Sequence, residues 1–216
     1  MSRKIVALAG EAGVGKDTFA DPLVKAGWVR GSFAANLKEM CQTIFNLPPF
    51  LTDTQEGKMK RLDVPRVLTE ANMREIIRWV SRTHDVSACN QTISKLKKQY
   101  IFDKTTTFYT SREILQFVGT EICRRLTTTY HVDVLFMKIE QSETNWVITD
   151  ARFPNERKML KDSFNATLIR LKRPGFTGFT GGHASENSFG EDDEYDVVFN
   201  NDGDIAKLHA EARRYF

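Results

Sequence analysis

The stretch from Gly10 to Thr18, reading G-E-A-G-V-G-K-D-T, constrains this chain more than any other, because it joins a short apolar run to a helical pattern. Ile5, Val6, Ala7, Leu8 and Ala9 read as a buried parallel strand. Phe19, Ala20, Leu23 and Val24 then give the apolar spacing of a helix. A glycine-rich turn in that setting is a phosphate cradle. Gly10, Gly13 and Gly15 let backbone N–H groups turn inward, the helix start adds a favourable dipole, and Lys16 reaches a transferred phosphate. The expected ligand is a nucleoside triphosphate. The place after the lysine, where Ser or Thr usually helps hold magnesium, is filled by Asp17, with Thr18 next. Asp17 binds the metal directly, acts through a water, or only favours the helix start by its charge; the sequence leaves all three readings open.

With 216 residues and 41% hydrophobic content, the chain can bury one sizeable core, and the expected organisation is a single α/β domain over 1–216. The balance of 31 basic and 28 acidic residues, net +3, argues against general nucleic-acid or membrane-surface binding. Cys41, Cys89 and Cys123 form no C-x-x-C pair, so neither a disulfide framework nor a zinc site is expected, and a reducing cytoplasm fits. No run of about 18 apolar residues appears, and the first strand begins too early for a signal peptide.

Further along, Trp28 to Phe33 reads as a short strand and Ala35 to Phe45 as a helix stopped by Asn46-Leu-Pro-Pro49. Residues 46–110 are expected to be an inserted, mostly helical region on the substrate side, with helices at Thr69–Arg82 and Thr92–Lys98. Ser111 to Arg125 is a stronger helix, with Ser111 as its expected cap and Ile114, Leu115, Val118, Ile122 and Leu126 as its apolar stripe. Arg112, Gln116 and Thr120 recur at four-residue spacing on its other face, where they line a cleft or simply meet solvent. Gly119 permits close approach of a ligand or of a neighbouring helix. A helix is expected at Val132–Ile139.

Trp146 to Asp150 reads as a buried strand ending in an acid that organises magnesium at the carboxyl ends of a parallel sheet, or else caps the next helix. A strand at Ala166–Leu171 leads to Lys172 and Arg173. The stretch 174–194 reads as a mobile loop containing His183, Ser185 and Glu186. Tyr195–Asn200 is a last strand, Asn201 to Gly203 a turn, and Ile205–Tyr215 a terminal helix. The alternation describes a parallel sheet covered by helices, with ligands at the strand ends. Phe33, Trp79, Phe108 and Phe117 are aromatic side chains of a size to stack on a base or fill a core. Lys95, Lys97 and Lys98 read as a solvated helix face.

The phosphate loop, the helix S-R-E-I-L-Q-F-V-G-T-E from Ser111, the segment V-I-T-D-A-R-F-P-N-E from Val147, the R-P-G turn at Arg173 and the closing F-N-N-D-G from Phe199 together resemble phage-type deoxynucleoside monophosphate kinases. The G-K-D-T variant is similar to that family's loop too. The resemblance implies a three-layer P-loop kinase fold and magnesium-dependent transfer of the terminal phosphoryl of ATP to a deoxynucleoside monophosphate. Such transfer depends on alignment and charge neutralisation.

On that resemblance Lys16 serves ATP, Asp17 and Asp150 the metal, and Arg112, Arg152 and Arg173 the acceptor phosphate or the migrating group. Gln116, Gly119 and Thr120 belong to the acceptor site. Lys38 contacts the monophosphate or lies on a solvated face, and His183 and Glu186 match the family's H-x-[S/T]-E loop or are plain surface. The implied setting is a cytoplasm, the host's if the chain is phage-encoded, with a homodimer left open. Dephospho-coenzyme A kinases share parts of the pattern, and a nucleotide-switch ATPase is the alternative from another functional class.

Overall fold

The computed structural model describes residues 3–175 and 189–216. Two compact units emerge, one made of Met1–Phe33 with Leu135–Phe216, the other of Ala34–Val134. The chain begins in the first with β1 (Ile5–Ala9), α1 (Lys16–Lys25) and β2 (Val29–Gly31). The second holds α2 (Ala35–Phe45), α3 (Pro49–Asp53), α4 (Gln55–Met59), β3 (Arg61–Val67), α5 (Glu70–Val80), α6 (Asn90–Lys97), β4 (Thr107–Thr110), α7 (Ser111–Gln116) and α8 (Arg124–Leu126). Helix α9 (Tyr130–Glu140) leads to β5 (Trp146–Ile148), α10 (Pro154–Phe164), β6 (Thr167–Lys172), β7 (Val197–Asn200) and α11 (Ile205–Ala212).

In the first unit the strands form one sheet in the order β2-β5-β1-β6-β7, and every pairing is parallel. Strand β1 is buried along its whole length, as a central strand covered on both faces must be. Val6 pairs with Val147 on one side and Thr167 on the other. Side chains alternate across the sheet, so Val6 and Leu8 share a cluster with Phe19, Leu23, Leu208 and Ala212 from α1 and α11. Full burial of a side chain such as Phe19 or Leu23 contributes on the order of 1.5–3 kcal/mol. Helix α10 packs on β1 and β6, and Phe136 of α9 meets Phe164 of α10 with ring centroids 4.6 Å apart. This is the α/β class expected: a parallel sheet flanked by helices, with a glycine-rich loop between its central strand and α1.

The second unit is helical, with a core that includes Met40, Met73, Ile76, Leu96, Ile114, Val118 and Ile122. Its bounds, 34–134, reach beyond the 46–110 expected from sequence on both sides. Strands β3 and β4 form an antiparallel pair not foreseen in that stretch, with a register shift between Arg61 and Arg66. Helix α5 starts at a capping box in which the Thr69 side chain accepts from Asn72 N–H. The helix expected from Ser111 is capped one residue earlier: Thr110 has extended φ/ψ and accepts from Glu113 N–H, and Glu113 bonds back to Thr110. Ser111 is instead buried, donating its hydroxyl to the carbonyl of Leu51. Beyond α7 the helix widens into a π segment, Phe117–Cys123, before α8. Among the described residues, no helix is long and apolar enough to cross a membrane.

Candidate phosphate-binding site

The loop between β1 and α1 depends on its glycines. Gly10, Gly13 and Gly15 have φ of +133°, +86° and +105°, the left-handed region that side chains rarely adopt. A Cβ on Gly10 would lie 2.4 Å from the carbonyl oxygen of Leu171, and one on Gly15 2.8 Å from Asn201 Nδ2. No side chain caps α1, so its first turn starts directly from the loop at Gly15. Lys16, the first residue of α1, is buried and bridges the loop, its Nζ donating to the carbonyls of Gly10 and Glu11 at 2.7 Å each. Burial pulls its pKa from 10.5 down to about 8, and the nearby Arg152 guanidinium adds to the effect against Asp17, Asp150 and Glu11. Thr18 is half-buried in the same turn.

Asp150 follows β5 by two residues and turns toward β2. Ser32 Oγ donates to its Oδ2 at 2.7 Å, and the Phe33 N–H to its Oδ1 at 2.8 Å. It does not cap α10: Glu156 takes that part, its Oε2 accepting from the N–H groups of Arg152 and Phe153 at 2.9 Å each. Arg157, also buried, donates to the Arg152 carbonyl at 2.6 Å, which fixes the backbone at Arg152. Asp17 is 79% exposed at its side chain and lies 3.6 Å from Arg30. Both carboxylates act on the Lys16 charge, but Asp150 is the one held at both oxygens by hydrogen bonds, the setting of a hard-oxygen magnesium partner. Asp17 is turned to Arg30 and solvent. Among the described residues, no cluster of three or more His, Cys, Asp or Glu side chains is placed to hold a metal.

A cavity of about 270 Å³ opens beside the loop at the ends of β6 and β7, lined by Gly10, Val14, Arg173, Pro174, Phe189 and Asn200 among others. Arg173 is exposed at its rim. The basic groups that gather there are partly neutralised: Arg170 and Lys172 both pair with Asp192, at 2.8 and 2.5 Å.

In the second unit Arg112, Gln116 and Thr120 are half-buried. A Cβ on Gly119 would lie 2.8 Å from Leu37 Cδ2 of α2, so this glycine serves the approach of a neighbouring helix. Lys38 pairs with Asp53 at 3.3 Å. Phe108 and Phe117 pack together, centroids 5.2 Å apart, and Phe117 also meets Tyr100 at 4.8 Å, so both belong to the core. Phe33 is buried, and Trp79 donates to Asn36 Oδ1 at 3.3 Å. His183, Ser185 and Glu186 lie outside the described residues, as does most of the expected mobile loop.

Three residues escaped the reading of the sequence: Ser32, which holds Asp150; Glu156, which caps α10; and Asn201, whose Nδ2 donates to the Val14 carbonyl at 2.9 Å. Glu156 alone carried a local signal, as an acid in the first turn after Pro154. The other two act on partners far away in sequence.

Comparison with known proteins adds to this geometry. A solved sugar kinase from Janibacter sp. HTCC2649, unliganded, aligns over 100% of this chain and 94% of its own, but at a TM-score of 0.42 and 11% identity it bears on neither fold nor function. The deoxynucleoside-5'-monophosphate kinase of Escherichia phage T5 is 29% identical over 200 residues, covering 77% of this chain and 75% of that one. The family model of deoxynucleotide monophosphate kinases matches residues 53–212, from the second unit through β7 and α11. The phosphate loop precedes the matched stretch, so the loop rests on its own geometry. With most of its length matched by that model, the chain belongs to the deoxynucleotide monophosphate kinase family.

Proposed function

We propose that this chain transfers the terminal phosphoryl group of ATP to a deoxynucleoside monophosphate, giving ADP and the deoxynucleoside diphosphate for DNA precursor synthesis. The observation that carries the reading is the buried Lys16 set in a three-glycine loop, in a chain whose family is defined by deoxynucleotide monophosphates. The N–H groups of the loop and the start of α1 bind the donor's phosphates, and Lys16 exchanges its two loop carbonyls for phosphate oxygens. The cavity beside Gly10 and Phe189 takes the nucleoside end of the donor. An oxygen of the acceptor's phosphate attacks the γ-phosphorus, and the oxygen bridging the β- and γ-phosphates leaves on ADP.

Little covalent chemistry is asked of the protein. Lys16, Arg152 and Arg173 offset the charge that spreads over the transferred group, where guanidinium forks match phosphate oxygens. Arg112, Gln116 and Thr120 of the second unit contact the acceptor. Asp150 is the carboxylate that would hold magnesium, which when bound neutralises the donor's phosphates. The reaction is proposed for a soluble enzyme of the cytoplasm. The test is ADP release from ATP and magnesium against a panel of dAMP, dGMP, dCMP, dTMP, their ribonucleotides, dephospho-coenzyme A and a control without acceptor. Turnover on deoxynucleotides with a quiet control is the expected result. Acceptor-independent hydrolysis, or preference for dephospho-coenzyme A, overturns it.

A further inference from the structure

We propose that Asn201 is a positioning residue for the phosphate loop, holding the loop backbone in the shape that receives the donor's phosphates. The proposal rests on the reading of that loop as the ATP site. Backbone N–H groups converge on an anion only when the carbonyls between them turn away. Val14 is the residue between the left-handed Gly13 and Gly15, and its carbonyl accepts the Asn201 side-chain N–H at 2.9 Å.

Asn201 is itself fixed. It follows directly on β7, its backbone N–H donates to the Lys172 carbonyl at 2.7 Å, and the last pair of the β6–β7 ladder, Lys172 with Asn200, sits beside it. The loop therefore rests on the ends of two neighbouring strands, Gly10 against the Leu171 carbonyl and Gly15 against Asn201 Nδ2. Gly15 is a glycine twice over: for its φ of +105°, and because a Cβ there would press within 2.8 Å of that amide. An amide is the group the place requires, since it donates to a carbonyl and carries no charge toward phosphate. Aspartate keeps the shape but loses the donor and adds a negative charge.

The test compares the parent chain with Lys16→Ala, Asn201→Ala and Asn201→Asp. It measures ATP binding alone by titration calorimetry, KM for ATP and for the deoxynucleotide, kcat at saturation, and melting temperature. Asn201→Ala should weaken ATP binding about tenfold, the size of a lost hydrogen bond that leaves a carbonyl unpaired. Asn201→Asp should weaken it further, with the acceptor's KM and saturated kcat close to the parent's and the melting temperature lower by only about 2–4 °C. Parent-like ATP affinity in Asn201→Asp overturns the proposal. So does a loss shared equally by ATP affinity, acceptor KM and melting temperature, which marks a turn that merely supports the fold. Lys16→Ala separates the two readings: if it keeps ATP affinity, the loop is not the ATP site and both fail. If it loses ATP while Asn201→Asp keeps it, only the role of Asn201 falls.

Discussion

The phosphate loop, in the first unit, and the helix that begins at Ser111, in the second, are held in different ways. In the loop, remote groups fix the backbone: Asn201 bonds the Val14 carbonyl and the Leu171 carbonyl backs Gly10, while after β5 Ser32 with the Phe33 N–H takes both oxygens of Asp150. Along the helix, Ile114, Val118 and Ile122 are locked in the core, while Arg112, Gln116 and Thr120 stay half-buried. The first arrangement is preorganised, and no rotamer change absorbs a substitution there. The second sets half-buried polar side chains on a helix anchored by its apolar stripe, and these are the groups proposed to contact the acceptor. Changes at the loop's charged groups should therefore strike the chemistry, changes at its supports such as Asn201 the affinity for ATP, and changes on the helix the acceptor's affinity.

The hardest test of that contrast is Lys16→Ala. Turnover should fall on the order of 10³-fold, because a charge aimed at the transferred phosphoryl is lost while the fold stays intact. Steady-state kinetics beside a thermal melt decides it, and a variant with near-parent kcat removes the loop from the mechanism. Asp150→Asn should cost about a hundredfold and move the magnesium titration to higher concentration, since the amide keeps the shape without the charge. An unchanged titration would leave Asp150 as a brace for Ser32 and the Phe33 backbone.

The same contrast explains what the sequence revealed. The loop was legible because its requirement is local: left-handed turns demand glycine wherever the chain goes next. The first strands and α2 were legible from apolar spacing alone. The cap expected at Ser111 falls one residue late, although Glu113 three positions after Thr110 marks Thr110 as the cap. The π segment was hidden because Ile114, Val118 and Ile122 keep four-residue spacing through it. Strand β3 was not legible within the stretch expected to be mostly helical, because Pro65 interrupts its strand pattern. Ser32 and Asn201 were out of reach, their partners lying 118 and 187 residues away.

A subtler test of the loop uses pH. Lys16 ionises near pH 8 rather than 10.5, so kcat/KM for ATP, which reports the free enzyme, should decline above about pH 8. The decline should approach tenfold per unit once the lysine is largely neutral. The sign for stability is opposite. Between pH 8 and 10.5 the unfolded chain binds more protons at this lysine than the folded one, so its contribution to stability rises with pH across that window. A profile in which activity and stability fall together above pH 8 would assign the decline to unfolding.

The smallest effect belongs to the helix. Arg112→Ala should raise the acceptor's KM several-fold to about tenfold, the worth of one charge-assisted contact to phosphate, with KM for ATP little changed. Gln116→Ala should act on the same constant, but unequally across the four bases if its amide meets the base rather than the sugar. Measured against all four deoxynucleotides, a base-dependent pattern for Gln116 with a uniform one for Arg112 separates base recognition from phosphate binding on a single helix face. An effect of Arg112→Ala on kcat at saturating acceptor, as large as that on KM, would move this arginine from acceptor binding to the transfer step. The division between loop and helix would then fail, because a half-buried side chain would be acting on the transition state as Lys16 does.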